Sequence, residues 1–259
     1  MSLAEILKSM KVGFMEGPSG YREGLPTLLM IHGAGGRSRI WQNQLRVLES
    51  EINMLAIDLP GHGETPGPGK DSIDDYTGWL EGLLARLDLK APFLMGHSLG
   101  GAIVQKAALQ FPERLGGIIL AATGPHLPVA PSFLEDMKTR FEGTVDNIIK
   151  YAYAPDADPI LLREGAGLMK QSGATVVHDD FLACDRFDRR KDISNVRLPC
   201  LIICGEEDRL TPPALSEGLN RSIAGSRLVL VPSAGHMVMI ENFRAFNQAV
   251  REFVLADPN

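Results

Sequence analysis

The sequence predicts an α/β protein, with a mostly parallel central sheet of about eight strands flanked by helices and an inserted helical cap. Short apolar runs recur along the chain, and helical patterns separate them. Strands that are buried on both faces of a parallel sheet read as near-continuous apolar runs of this kind. A long interval after the fourth run has no strand pattern and breaks the alternation, which predicts the insertion.

Six apolar runs of four to six residues are candidates for the strands. They are Thr27 to Ile31, Met54 to Leu59, Pro92 to Met95, Gly117 to Ala122, Leu201 to Cys204 and Leu228 to Val231. Between the second and third runs, apolar residues spaced by three and four predict an amphipathic helix over residues 72–89. Ser72 fits its N-cap, with Asp75 as a variant of the capping box. Alternating strands and helices imply right-handed parallel crossovers.

The interval that breaks the alternation runs from Pro125 to Asp192. Its apolar positions follow helical spacing, and four prolines divide it, so we expect several short helices rather than one long one. An excursion between two sheet strands usually covers the carboxyl edge of the sheet, where α/β proteins bind ligands. We therefore expect residues 1–124 and 193–259 to form the core, and residues 125–192 to form the cap.

Composition excludes some functional classes. The 26 basic and 32 acidic residues give a net charge of −6, which argues against a nucleic-acid surface or a polybasic membrane footprint. Glu5 lies where a signal peptide has positive charge, and no apolar run approaches the roughly 18 residues of a membrane span. The sequence therefore predicts a cytoplasmic protein without nucleic-acid or membrane partners. Its three cysteines (Cys184, Cys200 and Cys204) are expected to be buried thiols rather than metal ligands.

A candidate nucleophile lies in the segment from Gly96 to Gly101, which reads GHSLGG. An apolar strand precedes this segment and a helix, predicted over Ala102 to Gln110, follows it. A sharp turn from strand to helix needs glycine where side chains would collide, and it lifts the hydroxyl of Ser98 clear of the sheet. The helix N-terminus also directs its positive dipole end towards that hydroxyl.

A serine hydroxyl needs a base to accept its proton, and the base needs an anionic partner. His236 follows the last strand run in a loop of small residues that can reach the carboxyl edge, whereas His97 lies on the tight turn beside the serine. Asp208 follows the strand that ends at Cys204 and is the preferred partner. Glu206 or Glu207, in the same loop, are alternatives.

The attacked carbonyl becomes an oxyanion, which needs at least two N–H donors. Leu99, at the start of the helix, supplies one. The second is expected from the glycine-rich turn His32-Gly33-Ala34-Gly35-Gly36, where glycine lets the backbone approach a substrate closely. Ala34 is preferred and Gly35 is the alternative, while His32 is expected to fix the loop.

Taken together, five segments in order make the chain resemble the α/β-hydrolase family over nearly its whole length. They are the turn at 32–36, Asp58-Leu59-Pro60-Gly61-His62-Gly63, the segment around Ser98, the Asp208 loop and the His236 loop. The resemblance implies a Ser98, Asp208, His236 triad and favours Asp208 over its neighbours. It gives His62 no catalytic role, and it matches residues 125–192 to the family's helical cap.

Serine at the turn favours an acyl-enzyme, because family members that form an alkyl-enzyme ester have aspartate there. We therefore expect cleavage of a carboxylic ester, lactone or thioester, with no metal or organic cofactor. The resemblance leaves two alternatives. One is hydrolysis of a carbon–carbon bond in a vinylogous diketone, with Arg163 or Arg186 as the cationic group, and the other is a non-hydrolytic ligand receptor.

The cap residues indicate a small to medium apolar substrate without identifying it. The larger apolar side chains of the cap either line a pocket or form the cap's own core, and packing in the core is the commoner role. They are Phe133, Met137, Phe141, Tyr151, Tyr153, Met169 and Phe181. The sequence leaves the oligomeric state open.

Overall fold

The central sheet has seven strands in the computed structural model, which describes residues 2–256. Its order is β1-β3-β2-β4-β5-β6-β7, with β1 antiparallel to β3 at one edge and every other pair parallel. The predicted α/β class and mostly parallel sheet are confirmed, and seven strands is close to the expected eight. The strands are β1 (Phe14–Glu16), β2 (Thr27–Ile31), β3 (Asn53–Ile57), β4 (Phe93–His97), β5 (Gly117–Ala121), β6 (Cys200–Gly205) and β7 (Arg227–Val231).

All six predicted strands are present; β2 has the predicted bounds, and no bound of the other five is shifted by more than two residues. β3 ends before Asp58, and β4 continues to His97, one residue before the candidate nucleophile. The sequence did not predict β1, because it has only three residues, none of them buried, and pairs at the sheet edge. A strand that short and that exposed has no apolar run to reveal it.

The helices lie on both faces of the sheet. They are α1 (Leu3–Ser9), α2 (Gln42–Leu48), α3 (Ile73–Leu87), α4 (Leu99–Gln110), α5 (Pro131–Thr139), α6 (Phe141–Ala152), α7 (Pro159–Ser172), α8 (Ala174–Asp185), α9 (Pro213–Ser222), α10 (Val238–Glu241) and α11 (Phe243–Val254). Successive strand residues point to opposite faces. In β2, Leu29 packs with α3 and α4 on one face, whereas Leu28 and Met30 pack with α2 and α11 on the other. Both faces are therefore apolar, as the continuous strand runs predict.

The predicted helix over residues 72–89 is α3, and Ser72 is its N-cap. The Ser72 hydroxyl accepts a hydrogen bond from the Asp75 N–H at 3.1 Å. The same hydroxyl donates to the Asp75 carboxylate at 2.7 Å, so this carboxylate bonds the Ser72 side chain rather than its backbone N–H. The shorter aspartate therefore completes only a variant of the capping box.

Residues between β5 and β6 form the four helices α5 to α8. The two ends of this segment meet, because the Arg189 N–H donates to the Pro125 carbonyl at 2.7 Å and His126 forms an isolated β-bridge with Asp188. A short 3₁₀ helix, Ile193–Asn195, then leads back to β6. The segment thus leaves and rejoins the sheet layer at one place. The outer limits expected for the core, at residue 1 and residues 257–259, lie outside the described residues.

The three cysteines are buried and unbonded to one another. Burial raises the pKa of the Cys200 and Cys204 thiols to about 12, so both stay protonated at neutral pH. Among residues 2–256, no group of three or more His, Cys, Asp or Glu side chains has the geometry to hold a metal ion. None of the helices in that range is both long and apolar enough to cross a membrane.

Candidate active site

The residues singled out from the sequence gather at the carboxyl edge of the sheet. Ser98 follows β4, Asp208 follows β6 and His236 follows β7, while Ala34 lies in the turn after β2. Neighbouring parallel strands end at the same edge, so loops that are far apart in sequence meet there. The fold thereby brings four separate segments into one place.

The turn at Ser98 is strained and closely packed. Its φ of +54° and ψ of −114° are unusual for a residue with a side chain. A Cβ atom on Gly96 would lie 2.1 Å from the Gly100 carbonyl oxygen, and one on Gly100 would lie 2.5 Å from the Ile31 oxygen. The Ser98 N–H donates to Ala121 O at 2.9 Å, which holds the turn against β5. Glycine at 96 and 100 is therefore required by the close approach of the backbone.

Asp208 and His236 are joined by a buried hydrogen bond of 2.9 Å between Oδ2 and Nδ1. The Thr211 hydroxyl donates to Asp208 Oδ2 at 2.7 Å and lies 3.0 Å from His236 Nδ1. The N–H groups of Leu210 and Thr211 donate to the other carboxylate oxygen. Burial acts to raise the pKa of Asp208, but the charge and hydrogen bond of His236, together with Thr211, lower it overall. Asp208 therefore remains an anion beside the imidazole.

Ser98 and His236 line the same cavity. No hydrogen bond joins the Ser98 hydroxyl to the His236 ring within the part of the chain that the structure describes. The alternatives to Asp208 do not reach this site, because Glu206 and Glu207 are exposed side chains.

His97 contacts the His236 loop rather than the serine hydroxyl. Its Nε2–H donates to the His236 carbonyl at 3.0 Å, and the two rings lie 4.6 Å apart. Burial, with the charge of His236, lowers the pKa of His97 to about 3. His97 is therefore a neutral donor that joins the end of β4 to the loop after β7.

The glycine-rich turn passes directly over the serine. A Cβ atom on Gly33 would lie 2.7 Å from His97 Nδ1 and 3.1 Å from Ser98 Cβ, so a side chain there would have to displace the His97 ring. The Gly35 N–H is already occupied, since it donates to Asp180 Oδ2 at 2.8 Å. The Ala34 N–H has no partner among residues 2–256. Leu99, the first residue of α4, belongs to the helical turn whose N–H groups lack intrahelical acceptors.

His32 holds this turn in place. Its Nε2 accepts from the Leu59 N–H at 3.0 Å, so Nδ1 carries the proton and donates to Gly33 O at 2.8 Å. Burial and the neighbouring charge of His62 lower the pKa of His32 to about 4. His62 does not reach the cavity and instead bonds Asp180.

The cavity has a volume of about 590 Å³ and a mostly apolar wall. It lies between the carboxyl edge of the sheet and the helices α5 to α8. Four of the seven predicted cap residues line it: Phe133, Tyr153, Met169 and Phe181. Met137 and Phe141 pack among the helices instead, and Tyr151 is exposed. Neither Arg163 nor Arg186 is part of the wall.

The sequence model of the α/β-hydrolase family matches residues 28–249. The chain belongs to the α/β-hydrolase family. It is 28% identical, over 87% of its length and 92% of the relative's, to a pimeloyl-[acyl-carrier protein] methyl ester esterase of Neisseria meningitidis serogroup C. This hydrolase is also similar to the solved structure of a thermophilic esterase, with 34% identity, a TM-score of 0.82, and 94% and 92% of the two chains covered.

A further solved structure agrees with the fold. The enol-lactonase from Burkholderia xenovorans LB400 has a TM-score of 0.87, with 94% of this chain and 96% of that chain covered at 23% identity. At that identity the likeness concerns the fold alone. The two more similar proteins described above are esterases by name, and this chain is a hydrolase of the same family.

Sequence reasoning missed several polar residues that hold the site. The Asp208 loop had a usable signal, because an aspartate side chain commonly accepts from the backbone N–H two residues on, here that of Leu210, and this turn places Thr211 beside the carboxylate. Asp180 and Glu241 had none, since an acidic residue in a helix is usually exposed and nothing in the sequence distinguishes these two from the others. Glu241 accepts from the N–H groups of Gly235 and Ala154, and so ties the His236 loop to the end of α6.

We predict that Ser98→Gly is more stable than Ser98→Ala by about 1 kcal/mol or more, because glycine relieves the strain of a positive φ. Urea unfolding of both variants measures the difference. Both lack the candidate nucleophile, so the comparison separates backbone strain from chemistry. Equal free energies of unfolding would contradict a strained turn.

A second prediction concerns acid stability. His32 and His97 stay neutral in the folded protein, with pKa values lowered to about 4 and about 3, but titrate near 6.5 when unfolded. Their contribution is complete above pH 6.5 and is lost as the pH falls, at about 1.4 kcal/mol per pH unit for each histidine. Urea unfolding from pH 7.5 to 4.5 measures this slope. His97→Gln keeps a donor for the His236 carbonyl and should reduce the slope of unfolding free energy against pH by about 1.4 kcal/mol per pH unit. The same slope in the variant and the wild type would refute the lowered pKa of His97.

Proposed function

We propose that this hydrolase cleaves carboxylic esters, including lactones and thioesters, of small to medium apolar substrates through an acyl-enzyme on Ser98. The observation that carries the proposal is the shared cavity wall. Ser98 and His236 line one mostly apolar cavity, and His236 Nδ1 is hydrogen-bonded to the anionic Asp208. A nucleophile, a base and a fixed anion in this order are the parts that acyl transfer needs.

In the first half of the reaction, Ser98 Oγ attacks the carbonyl carbon and His236 Nε2 takes the hydroxyl proton. The bond from His236 Nδ1 to Asp208 fixes the tautomer, so Nε2 is the nitrogen that is free to accept. The Ala34 and Leu99 N–H groups bind the oxyanion. Ala34 is favoured over Gly35 because the Gly35 N–H already donates to Asp180.

The tetrahedral intermediate then breaks its bond to the leaving oxygen, or to sulfur in a thioester. His236 returns the proton to the leaving alcohol or thiol, and the acyl group remains on Ser98. Water, activated by the same imidazole, attacks the acyl-enzyme through a second oxyanion. The acid leaves and Ser98 regains its proton, so the proposed cycle consumes only water and needs no cofactor.

We further propose that residues 125–192 act as a cap over this site. Helices α5 to α8 supply one wall of the cavity, and the ends of the segment meet at the bond between Arg189 and Pro125. The apolar wall favours an apolar substrate, because a polar one would lose hydrogen bonds to water on entering.

Of the two alternatives, carbon–carbon bond hydrolysis receives less support from the structure, and a turnover assay decides the ligand receptor. Arg163 and Arg186 do not line the cavity, and Arg186 bonds Asp71 at the surface, so neither is placed to bind an acidic diketone. A ligand receptor on this fold would release one burst of product and then stop. Sustained turnover of short esters in an assay would exclude that alternative.

We predict that Ser98→Ala lowers kcat on a nitrophenyl ester by about 10⁴-fold or more, because the remaining groups cannot form the acyl-enzyme. Circular dichroism of the variant provides the folding control. Mass spectrometry after a fluorophosphonate should find wild-type Ser98 labelled and the variant unlabelled. Turnover retained by the variant would refute the assigned nucleophile.

A second test addresses the apolar cavity. Leu168 on α7 lines the cavity, whereas Ile160 on the same helix is half exposed and does not. We expect Leu168→Trp to raise KM for octanoyl esters while acetyl esters are hydrolysed normally, because the indole fills space that a longer chain needs. Ile160→Trp is the matched control and should leave both unchanged. Equal effects on both chain lengths would show that acyl chains do not occupy this region.

A further inference from the structure

Asp180 is a fully buried carboxylate on α8 that accepts hydrogen bonds from three separate parts of the core. Oδ2 accepts from the Gly35 N–H and from His62 Nε2, each at 2.8 Å. Oδ1 accepts from the Tyr76 hydroxyl at 2.6 Å. One side chain of the segment between β5 and β6 thus bonds the turn after β2, the turn after β3, and α3.

A buried anion is costly unless it is paired and fully hydrogen-bonded. His62 supplies the pairing charge, since burial acts to lower its pKa but the negative charge of Asp180 raises it overall. The ring of His32, 4.8 Å from that of His62, stays neutral. Both ring nitrogens of His62 face acceptors, Nε2 the Asp180 carboxylate and Nδ1 the Pro60 carbonyl at 3.1 Å, so a protonated His62 paired with Asp180 satisfies every polar group between them.

The peptide groups on either side of Gly35 are held from the same segment. The Gly35 N–H donates to Asp180, and its carbonyl accepts from the Ser172 hydroxyl at the end of α7 at 3.0 Å. Gly35 has a φ of +63°, and Met169 and Val177 fill the space where a side chain would lie. A change in the orientation of this residue would break both hydrogen bonds, and a side chain here would strain the backbone and displace the Met169 side chain.

The preceding peptide group of the turn, between Gly33 and Ala34, contains the Ala34 N–H. The same peptide group contains the Gly33 carbonyl, which accepts from His32 Nδ1–H and from the Gly36 N–H. Because N–H and C=O of one peptide point in opposite directions, these bonds direct the Ala34 N–H away from His32. Asp180 and Ser172 fix the following two peptide groups, so the whole turn has one orientation.

We propose that Asp180 is a positioning residue for oxyanion binding, acting with Ser172 through Gly35 on the turn that carries the Ala34 N–H. This inference rests on the proposed function. The helical segment then does more than cover the substrate, because its polar contacts set the backbone geometry in which the oxyanion is bound.

The test compares Asp180→Asn and Ser172→Ala with two matched controls. Asparagine has one neutral acceptor oxygen in place of two charged ones, so it cannot serve all three donors, and any bond that it keeps to the Gly35 N–H is weaker. In Ser172→Ala the Gly35 carbonyl loses its hydroxyl donor. Tyr76→Phe removes a different donor from the same carboxylate and leaves the Gly35 bonds intact. Asp185→Asn changes an exposed carboxylate on the same helix.

For Asp180→Asn we expect kcat on nitrophenyl butyrate to fall about 10- to 100-fold with KM nearly unchanged, because only the charged intermediate uses the turn. The inhibition constant of an alkyl boronic acid, whose adduct on serine is an anionic tetrahedron, should rise by a similar factor. Ser172→Ala should show the same pattern at about 3- to 10-fold. Asp185→Asn should match wild type, and Tyr76→Phe should lower Tm with little loss of kcat.

A purely structural role predicts a different pattern. In that case the loss of kcat would follow the loss of Tm in every variant. Tyr76→Phe and Asp180→Asn would then lose the same activity for the same decrease in Tm, and that result would overturn the proposal. If Asp180→Asn does not fold, unchanged kcat and boronate inhibition in Ser172→Ala would overturn it.

Amide hydrogen exchange gives a readout that does not depend on turnover. The peptide covering residues 33–36 should exchange faster in Asp180→Asn, but not in Tyr76→Phe, and unchanged exchange would refute the positioning contact. An inactive wild type would count against the proposed ester chemistry instead, and the exchange result would still decide whether Asp180 orders the turn.

Discussion

The backbone at Ser98 is the constraint on which the rest of the site depends. Parallel strands and the following helix approach so closely that Gly96 and Gly100 have no room for a Cβ atom. Between them Ser98 adopts a positive φ at the N-cap of α4, and it lines the cavity. The buried strands around this turn oppose its relaxation, and they also fix where the other loops must end to meet it.

Polar contacts, rather than apolar packing alone, align the loops around that turn with the helices above them. Arg209, next to Asp208, donates to the carbonyls of Lys150 and Tyr153 at the end of α6. Glu241 and the Met237 N–H bind the same helix end from the side of the His236 loop. The Asp208 and His236 loops therefore each have their own bonds to the end of α6, and a displacement of α6 would move both loops.

The sequence predicted what depends on local pattern. Six strands, the helix capped by Ser72 and the family all follow from apolar runs, capping residues and glycine spacing. The edge strand β1 was not predicted, because three residues that are not buried carry no such pattern. Asp180 escaped for another reason: its partners lie more than 100 residues away in sequence, and only the folded chain shows that Gly35 and Tyr76 converge on it.

The meeting of the two ends of the inserted segment bears on how this family can diversify. Because Pro125 and Arg189 are hydrogen-bonded neighbours, a foreign helical segment could be spliced between them without moving a strand of the sheet. Such a graft would bring a new substrate pocket. It would also have to bring its own acceptor for the Gly35 N–H, so segments that are interchangeable in shape are not interchangeable in chemistry.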